Sequence, residues 1–301
     1  VETMKTRRVS KIGMAVIYAV LIAWAVISLI PLYWVFTTSL QQPGEVDVMP
    51  PKLIPTVISR YLPLRLSGEA EEAAALVDGA LESYRLLFRK TNMGRWFLNS
   101  LMISLCATTG ILLLDSMAAF SFAKKEFPGR NFLFWLMVGT MTIPGQVLLV
   151  PMFMVVRELN LVNTPWAVLL PQLSMVFGVF MLRQFMLTIP SELMEAARID
   201  GASEFGIYWR IMLPLAKPGL ATLAILTFTS SWNSFLWPLI AIQKSEWFTL
   251  PVGLKTLQDQ NLVNYSLLMS GAAVAAVPMI IVFLSFQKYF VKGLTLGGVK
   301  G

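Results

Sequence analysis

Six long apolar blocks set the pattern of this chain, near residues 12–37, 96–123, 131–156, 165–187, 218–242 and 266–290. A helix of about 20 residues crosses a hydrocarbon core about 30 Å thick, and each block reaches that length. They also outrun the roughly 12-residue helix of a globular domain. The pattern predicts an all-α, polytopic membrane protein with six transmembrane helices.

Charge between the blocks supplies the orientation. An even number of spans puts both termini on one side, together with the basic head (Lys5, Arg7, Arg8, Lys11), the Lys124, Lys125 and Arg130 turn, and Lys288, Lys292 and Lys300. The positive-inside rule makes that side the cytoplasm. The apolar stretch after the head is longer than the 7 to 15 residues of a cleavable signal core, so it reads as a first transmembrane helix. The expected organisation is a cytoplasmic N-terminus over 1–11, a first span over 12–37, an outer segment over 38–95, a core of five helices over 96–290, and a cytoplasmic tail over 291–301. The outer segment opens Pro-rich and turns Ala/Glu-rich from Glu69 to Arg89, where a helix is predicted. Prolines within the spans (Pro31, Pro144, Pro151, Pro171, Pro238, Pro278) each remove a backbone donor and read either as kinks around a cavity or as ordinary membrane packing.

Composition agrees with lipid as the main solvent. The chain is 56% hydrophobic and 14% charged, against about 25% charged in a soluble domain. A net charge of +7 does not point to nucleic acid, because the basic residues lie between apolar blocks rather than along one face. One cysteine, Cys106, leaves no disulfide framework and no cysteine-based metal site. With no histidine, zinc-hydrolase motifs, Ser-His-Asp triads and imidazole relays are excluded. The expectation is therefore no catalytic residue, no bound metal and no cofactor on this chain.

One short loop differs from the rest. Between the fourth and fifth blocks, the run from Ser191 through Glu195, Ala196, Ala197, Asp200 and Gly201 to Leu213 and Pro214 is polar and amphipathic. Ser191 is placed to cap a helix with Glu192 in its first turn, and Gly201 to end it. Ser203 can cap a second short helix that stops before Pro214. Such short helices are not stable alone, so a partner is expected to pack on them. Leu193, Ala196, Ala197 and Asp200 can share one side of the first helix, where the alanines permit close approach.

The spacing Glu195-Ala196-Ala197, three residues, Gly201, nine residues, Ile211, one residue, Leu213-Pro214 resembles the EAA motif of binding-protein-dependent ABC importer permeases. The resemblance covers nearly the whole chain from the first span except the outer segment, and is to the smaller permease of the carbohydrate, maltose-type branch. Trp232-Asn233-Ser234-Phe235-Leu236-Trp237-Pro238 is similar to that branch's fifth core segment, and the run from Gly293 to Gly301 to its C-terminal tail. The resemblance implies the type I ABC importer permease fold, with cytoplasmic coupling helices at 191–213 seated in an ATPase groove. Glu195, Ala196, Ala197, Asp200, Gly201, Leu213 and Pro214 would form the docking knob. It further implies a tail with Gly293, Gly297, Gly298 and Lys300 that reaches between two ATP-binding cassette subunits, and an outer loop at 243–265 that meets a periplasmic or surface solute-binding protein. A homologous second permease, a carbohydrate substrate and a bacterial inner-membrane location follow from the same resemblance. ATP and magnesium would sit on the partner ATPases, since the chain holds no Gly-x4-Gly-Lys-Ser/Thr run.

Trp232 and Asn233 are candidates for a sugar path, because aromatic faces stack on pyranose rings and an amide matches hydroxyl geometry. Trp237 is expected in the outer aromatic belt. Asp115, the sole carboxyl deep in a span, reads as a hydrogen-bonded structural residue or a proton-coupling site. Lys124 and Lys125 read as solvated topology signals. The rivals are an ABC permease for a non-sugar solute, an ion-coupled secondary transporter, for which paired buried ligands or inverted repeats are lacking, and an intramembrane enzyme.

Overall fold

A computed structural model gives the protein's structure, describing residues 11–42, 44–46, 52–258 and 265–298, the last twelve as backbone alone. The described residues are helical throughout, joined by turns, and fall into two compact units.

The first unit comprises 1–91 with 257–274. Its helix α1 (Lys11–Ser39) is apolar on all sides, with Trp24 71% exposed. That distribution suits lipid on every face. Polar residues enter at its end, where Thr37, Thr38 and Ser39 are buried. Tyr84 Oη donates to Ser39 Oγ at 2.7 Å, and Ser270 Oγ donates to the Ser39 carbonyl at 3.3 Å. The predicted outer helix is present as α3 (Ala70–Lys90), burying Ala73, Ala80, Ser83 and Leu87 on one face. The Pro-rich part holds a second helix, α2 (Thr56–Leu66), which composition alone hid. Pro55 precedes its first turn and Pro63 falls near its end, so little of the hydrogen-bond ladder is lost. Gly68, at φ +88°, turns the chain between α2 and α3.

The second unit comprises 92–256 with 275–301 and is organised on α4 (Met93–Lys124). Ser100, Ile103, Ser104, Ala107, Ile111, Asp115, Ala119 and Ala123 form its buried stripe. Small residues there let neighbouring helices approach closely, which is how membrane helices associate without a hydrophobic drive between them. Beyond the Lys125–Pro128 turn, the third apolar block is not one helix. It divides into α5 (Arg130–Gly139) and α6 (Leu149–Glu158), and the two arms are bent by 92°. Pro144, which cannot donate, lies between Gly139 and Gly145, while the Thr140 and Thr142 hydroxyls bond back to Met137 and Gly139 carbonyls.

The fourth block divides at 173–175 into α7 (Pro165–Leu169) and α8 (Val176–Leu187), with Pro171 just before the break. The loop contributes α9 (Glu192–Ile199), α10 (Glu204–Ile207) and α11 (Leu213–Leu215). The fifth block follows as α12 (Lys217–Trp232) and α13 (Leu236–Ala241), interrupted at 233–235. A short α14 (Leu250–Thr256) precedes α15 (Tyr265–Gly298). Among the described residues four helices are long and apolar enough to span a membrane, and up to six spans result when two bent pairs each count as one. The fifth span reaches that count only when Glu204–Leu215 is joined to Lys217–Trp232 across a 78° bend.

Candidate functional site

The 191–215 loop is rooted in the second unit's main core. Met194, Ile207, Tyr208 and Met212 are buried there with Ile111, Phe120, Val179, Leu182, Met186 and Leu223. Methionine suits this task, since its flexible thioether fills irregular gaps between helices. The core therefore reaches from the loop into α4, α8 and α12.

Gly201 ends α9 as expected. Its φ is +79°, Ala202 N donates to Ala197 O at 2.9 Å, and Gly201 N donates to Arg198 O at 3.0 Å. Those two bonds are the 6→1 and 5→2 pair of a Schellman stop. Ser203 caps the next helix, accepting from Gly206 N at 3.1 Å. Ser191 does not cap α9: its backbone is already helical, and its Oγ accepts instead from Lys124 Nζ at 3.3 Å. Nor does the second helix stop before Pro214. It continues from Glu204 to Leu215 through a wide π turn at Tyr208–Met212, and the wider turn makes room for the proline ring that an α turn would crowd.

The faces of α9 also differ from expectation. Met194 is buried and Ala197 half-buried against the core, whereas Leu193, Glu195, Ala196 and Asp200 are exposed. Ala197 thus supports the loop from within. Gly201 and Pro214 are exposed, and Leu213 is half-buried. Beside them, Phe205 and Trp209 are 65% and 52% exposed and stack with centroids 6.1 Å apart. They border a groove of about 490 Å³ lined by residues from Gly201 to Ile211.

Four polar contacts from α4 and its end hold this loop, and sequence reasoning missed them all. Ser116 Oγ and Tyr208 Oη are 2.7 Å apart in the core. Lys124 Nζ donates to the Ile189 carbonyl at 2.5 Å as well as to Ser191. Lys125 pairs with Glu204, which also accepts from Arg198 Nε at 3.0 Å. The hydrogen bond from Lys125, reinforced by Arg198, holds the Glu204 carboxyl below its ordinary value of 4.5. Lys124 and Lys125 are thus tied to the loop rather than simply solvated. The Lys124–Lys125 pair at the end of an apolar block, on the same expected side as the polar loop, is the one sequence signal that could have suggested this.

The other candidates fall elsewhere. Trp232 is buried, stacks on Phe228 at 5.8 Å and donates Nε1 to Ala275 O at 3.1 Å, so its ring is committed to packing. Asn233 is exposed and donates Nδ2 to Thr229 O at 2.9 Å. Trp237 is no belt residue: it is buried, with Nε1 donating to Ala167 O at 3.0 Å. Asp115 is buried and accepts from Met175 N, as the structural reading expects. The outer loop, over 243–256, folds back on α4: Trp96 Nε1 donates to Ser245 O, Asn99 Nδ2 to Glu246 O and Phe248 O, and Leu250 N to Ser100 Oγ. Gly293, Gly297 and Gly298 continue the α15 backbone helix, where no proline interrupts its cooperative propagation. Lys300 lies outside the described residues, as do 259–264.

Residues 111–296, more than half the sequence, match the family described as binding-protein-dependent transport system inner membrane component. The chain belongs to this family. The matched region of this inner membrane component contains the whole loop and the core that roots it. The chain is 45% identical over 222 residues to the arabinooligosaccharides transport system permease protein AraQ of Halalkalibacterium halodurans, covering 73% of this chain and 80% of that one. It is 29% identical over 288 residues to the diacetylchitobiose uptake system permease protein NgcG of Streptomyces coelicolor, covering 94% and 88%. Against the sn-glycerol-3-phosphate transport system permease protein UgpE of Yersinia pestis, identity is 33% over 206 residues, covering 68% and 73%. The fold matches a chain in the crystal structure of a bacterial ABC transporter involved in the import of the acidic polysaccharide alginate. That match has a TM-score of 0.79 at 24% identity and covers 96% of this chain and all of the other. The predicted permease fold is the one found.

Proposed function

We propose that this permease moves an oligosaccharide inward, driven by separate ATPase subunits that dock on the 191–215 loop. The observation that carries the reading is the loop itself: an exposed face of Leu193, Glu195, Ala196 and Asp200, held by Met194, Ile207, Tyr208 and Met212 in the core between α4, α8 and α12. A partner that pushes on such a knob moves the helices rooted with it, so ATP-driven closure becomes rocking of the span bundle and alternating access. In this reading the chain itself is not catalytic and binds no cofactor; ATP and magnesium belong to two ATP-binding cassette subunits. A homologous permease completes the pathway and a solute-binding protein delivers the sugar. Both ends of the described chain face the cytoplasm.

The two relatives of oligosaccharide systems support the substrate class. A second reading, a phosphate ester of a polyol, is favoured by the likeness to the glycerol-phosphate permease. The test is to co-express the chain with its cognate subunits in vesicles and measure uptake of labelled arabinooligosaccharide, diacetylchitobiose and glycerol 3-phosphate. ATP-dependent uptake of an oligosaccharide, lost together with ATPase co-purification on Glu195→Arg, is expected. ATPase association and uptake untouched by that charge reversal would sink the docking assignment, and uptake of glycerol 3-phosphate alone would transfer the substrate to the second reading.

A further inference from the structure

Asp115 occupies a position that its chemistry makes expensive unless it is used. It is 2% exposed, in the C-terminal third of a membrane-spanning helix, and Oδ1 accepts from Met175 N at a long 3.4 Å. Met175 is the residue immediately before α8, at the break in the fourth span. The first turn of any helix leaves backbone N–H groups without intrahelical partners, and at the α8 start Met175 and Val176 are half-buried and Gly178 is buried. No side chain of α8 itself caps this end. A carboxyl group from α4 at that place acts as a cap supplied across the helix interface, at the end where the helix dipole is positive.

Gly178, in the same first turn, faces the same group. A Cβ there would overlap Asp115 Oδ2, and would lie 3.1 Å from Leu223 Cδ2 of α12. Gly178 is therefore the point at which α4, α8 and α12 converge. The two helices that carry the loop, α8 before it and α12 after it, both meet α4 there. Farther along α4, Ser116 bonds Tyr208 and Lys124 bonds Ile189, so one helix grips the inner half of the fourth span at its start and the loop at its other end.

We propose that Asp115 is a positioning residue that caps α8 from α4, that Gly178 is glycine in order to admit it, and that this contact makes α4, α8 and the 191–215 loop move as one body. The transport half of this inference rests on the proposed coupling function; the capping half does not. In a permease so built, force applied at the loop reaches the break in the fourth span without being absorbed by slippage between α4 and α8.

The test uses Asp115→Ala, Gly178→Ala and the double variant, in the chain alone and in the assembled transporter. Amide hydrogen exchange over 175–179 in lipid nanodiscs reports the cap whatever the partners do. Asp115→Ala and Gly178→Ala are each expected to lose protection there, and Gly178→Ala should cost less when added to Asp115→Ala than in the wild type, leaving only its contact with Leu223. In the transporter, solute moved per ATP hydrolysed should fall by about 2- to 30-fold in each single variant, the span expected for residues that transmit coupling. ATPase co-purification should persist, which a merely misfolded subunit would not allow. Unchanged protection in Asp115→Ala, or additive losses in the double variant, would overturn the cap. Lost protection with an unaltered transport-to-ATP ratio would overturn the transmission. Failure of the wild-type assembly to recruit an ATPase would overturn the transmission together with the proposed function and leave the exchange result to decide the cap.

Discussion

Replacing Gly201 separates the backbone's role in the loop from the side chain's. At φ +79° an L-residue pays about 1–2 kcal/mol in the left-handed region. No atom lies within 4 Å of where a Cβ would stand, so within this chain the loss comes from conformation alone. One to two kcal/mol corresponds to about a 5–30-fold shift toward loops in which the Schellman bonds from Gly201 and Ala202 are broken. Asparagine tolerates this region better than alanine, and a β-branched residue worse, so the order of loss should be Gly201→Val, then Ala, then Asn. If the side chain instead collided with a docked ATPase, loss would follow size and asparagine would be worse than alanine. The assay is ATP-driven uptake together with ATPase retention for the three variants at equal membrane abundance, and amide exchange over 192–202 in the chain alone. Alanine equal to glycine in both assays, or asparagine worse than alanine, would refute the conformational argument.

Three further outcomes follow from the same geometry. Met194→Ala removes a 2%-exposed anchor and should destabilise the packing of α9 by about 2–5 kcal/mol, seen as faster proteolysis of the 191–215 loop with the spans intact. Because the Glu204 carboxyl sits below its ordinary value of 4.5, its tie to Lys125 is fully present above that value and lost as pH falls through the lower, folded-state value. Glu204 is about half-exposed, so Glu204→Gln should cost no more than about 1 kcal/mol at neutral pH, and loop exchange should lose its acid dependence in that variant. Gly253→Ala would drive a methyl into the Trp96 indole and should loosen the outer 243–256 segment by about 1–3 kcal/mol, raising the accessibility of a cysteine placed at Ser245.

The sequence by itself determined the solvent, the approximate placement of the spans, and the chemistry of the loop. Continuous apolar blocks can be satisfied only by helices in lipid, and that depends on local composition. Gly201 and Ser203 were legible for the same reason, because a helix stop and a helix cap act over a few residues. The outer helix α3 was legible from its Ala/Glu run, whereas α2 was hidden by prolines that happen to fall at its ends.

Tertiary structure decided what depends on distant partners. At the 92° bend in the third span the Thr140 and Thr142 hydroxyls meet nearby carbonyls on an exposed stretch, and neither the angle of that bend nor the place of the break in the fourth span can be read from the prolines alone. Trp232 and Trp237 look alike in sequence to residues that could face a sugar or the membrane surface; packing with Phe228 and hydrogen bonds to Ala275 and Ala167 place both inside. Ala197 was assigned to the outer face of α9 because helical spacing fixes neighbours but not which arc meets the core. The same limit hid the ties from α4 to Tyr208, Ile189 and Glu204, since each joins residues more than sixty positions apart. A short motif can specify the shape of the loop, but its connection to the spans exists only where folded helices bring those side chains together.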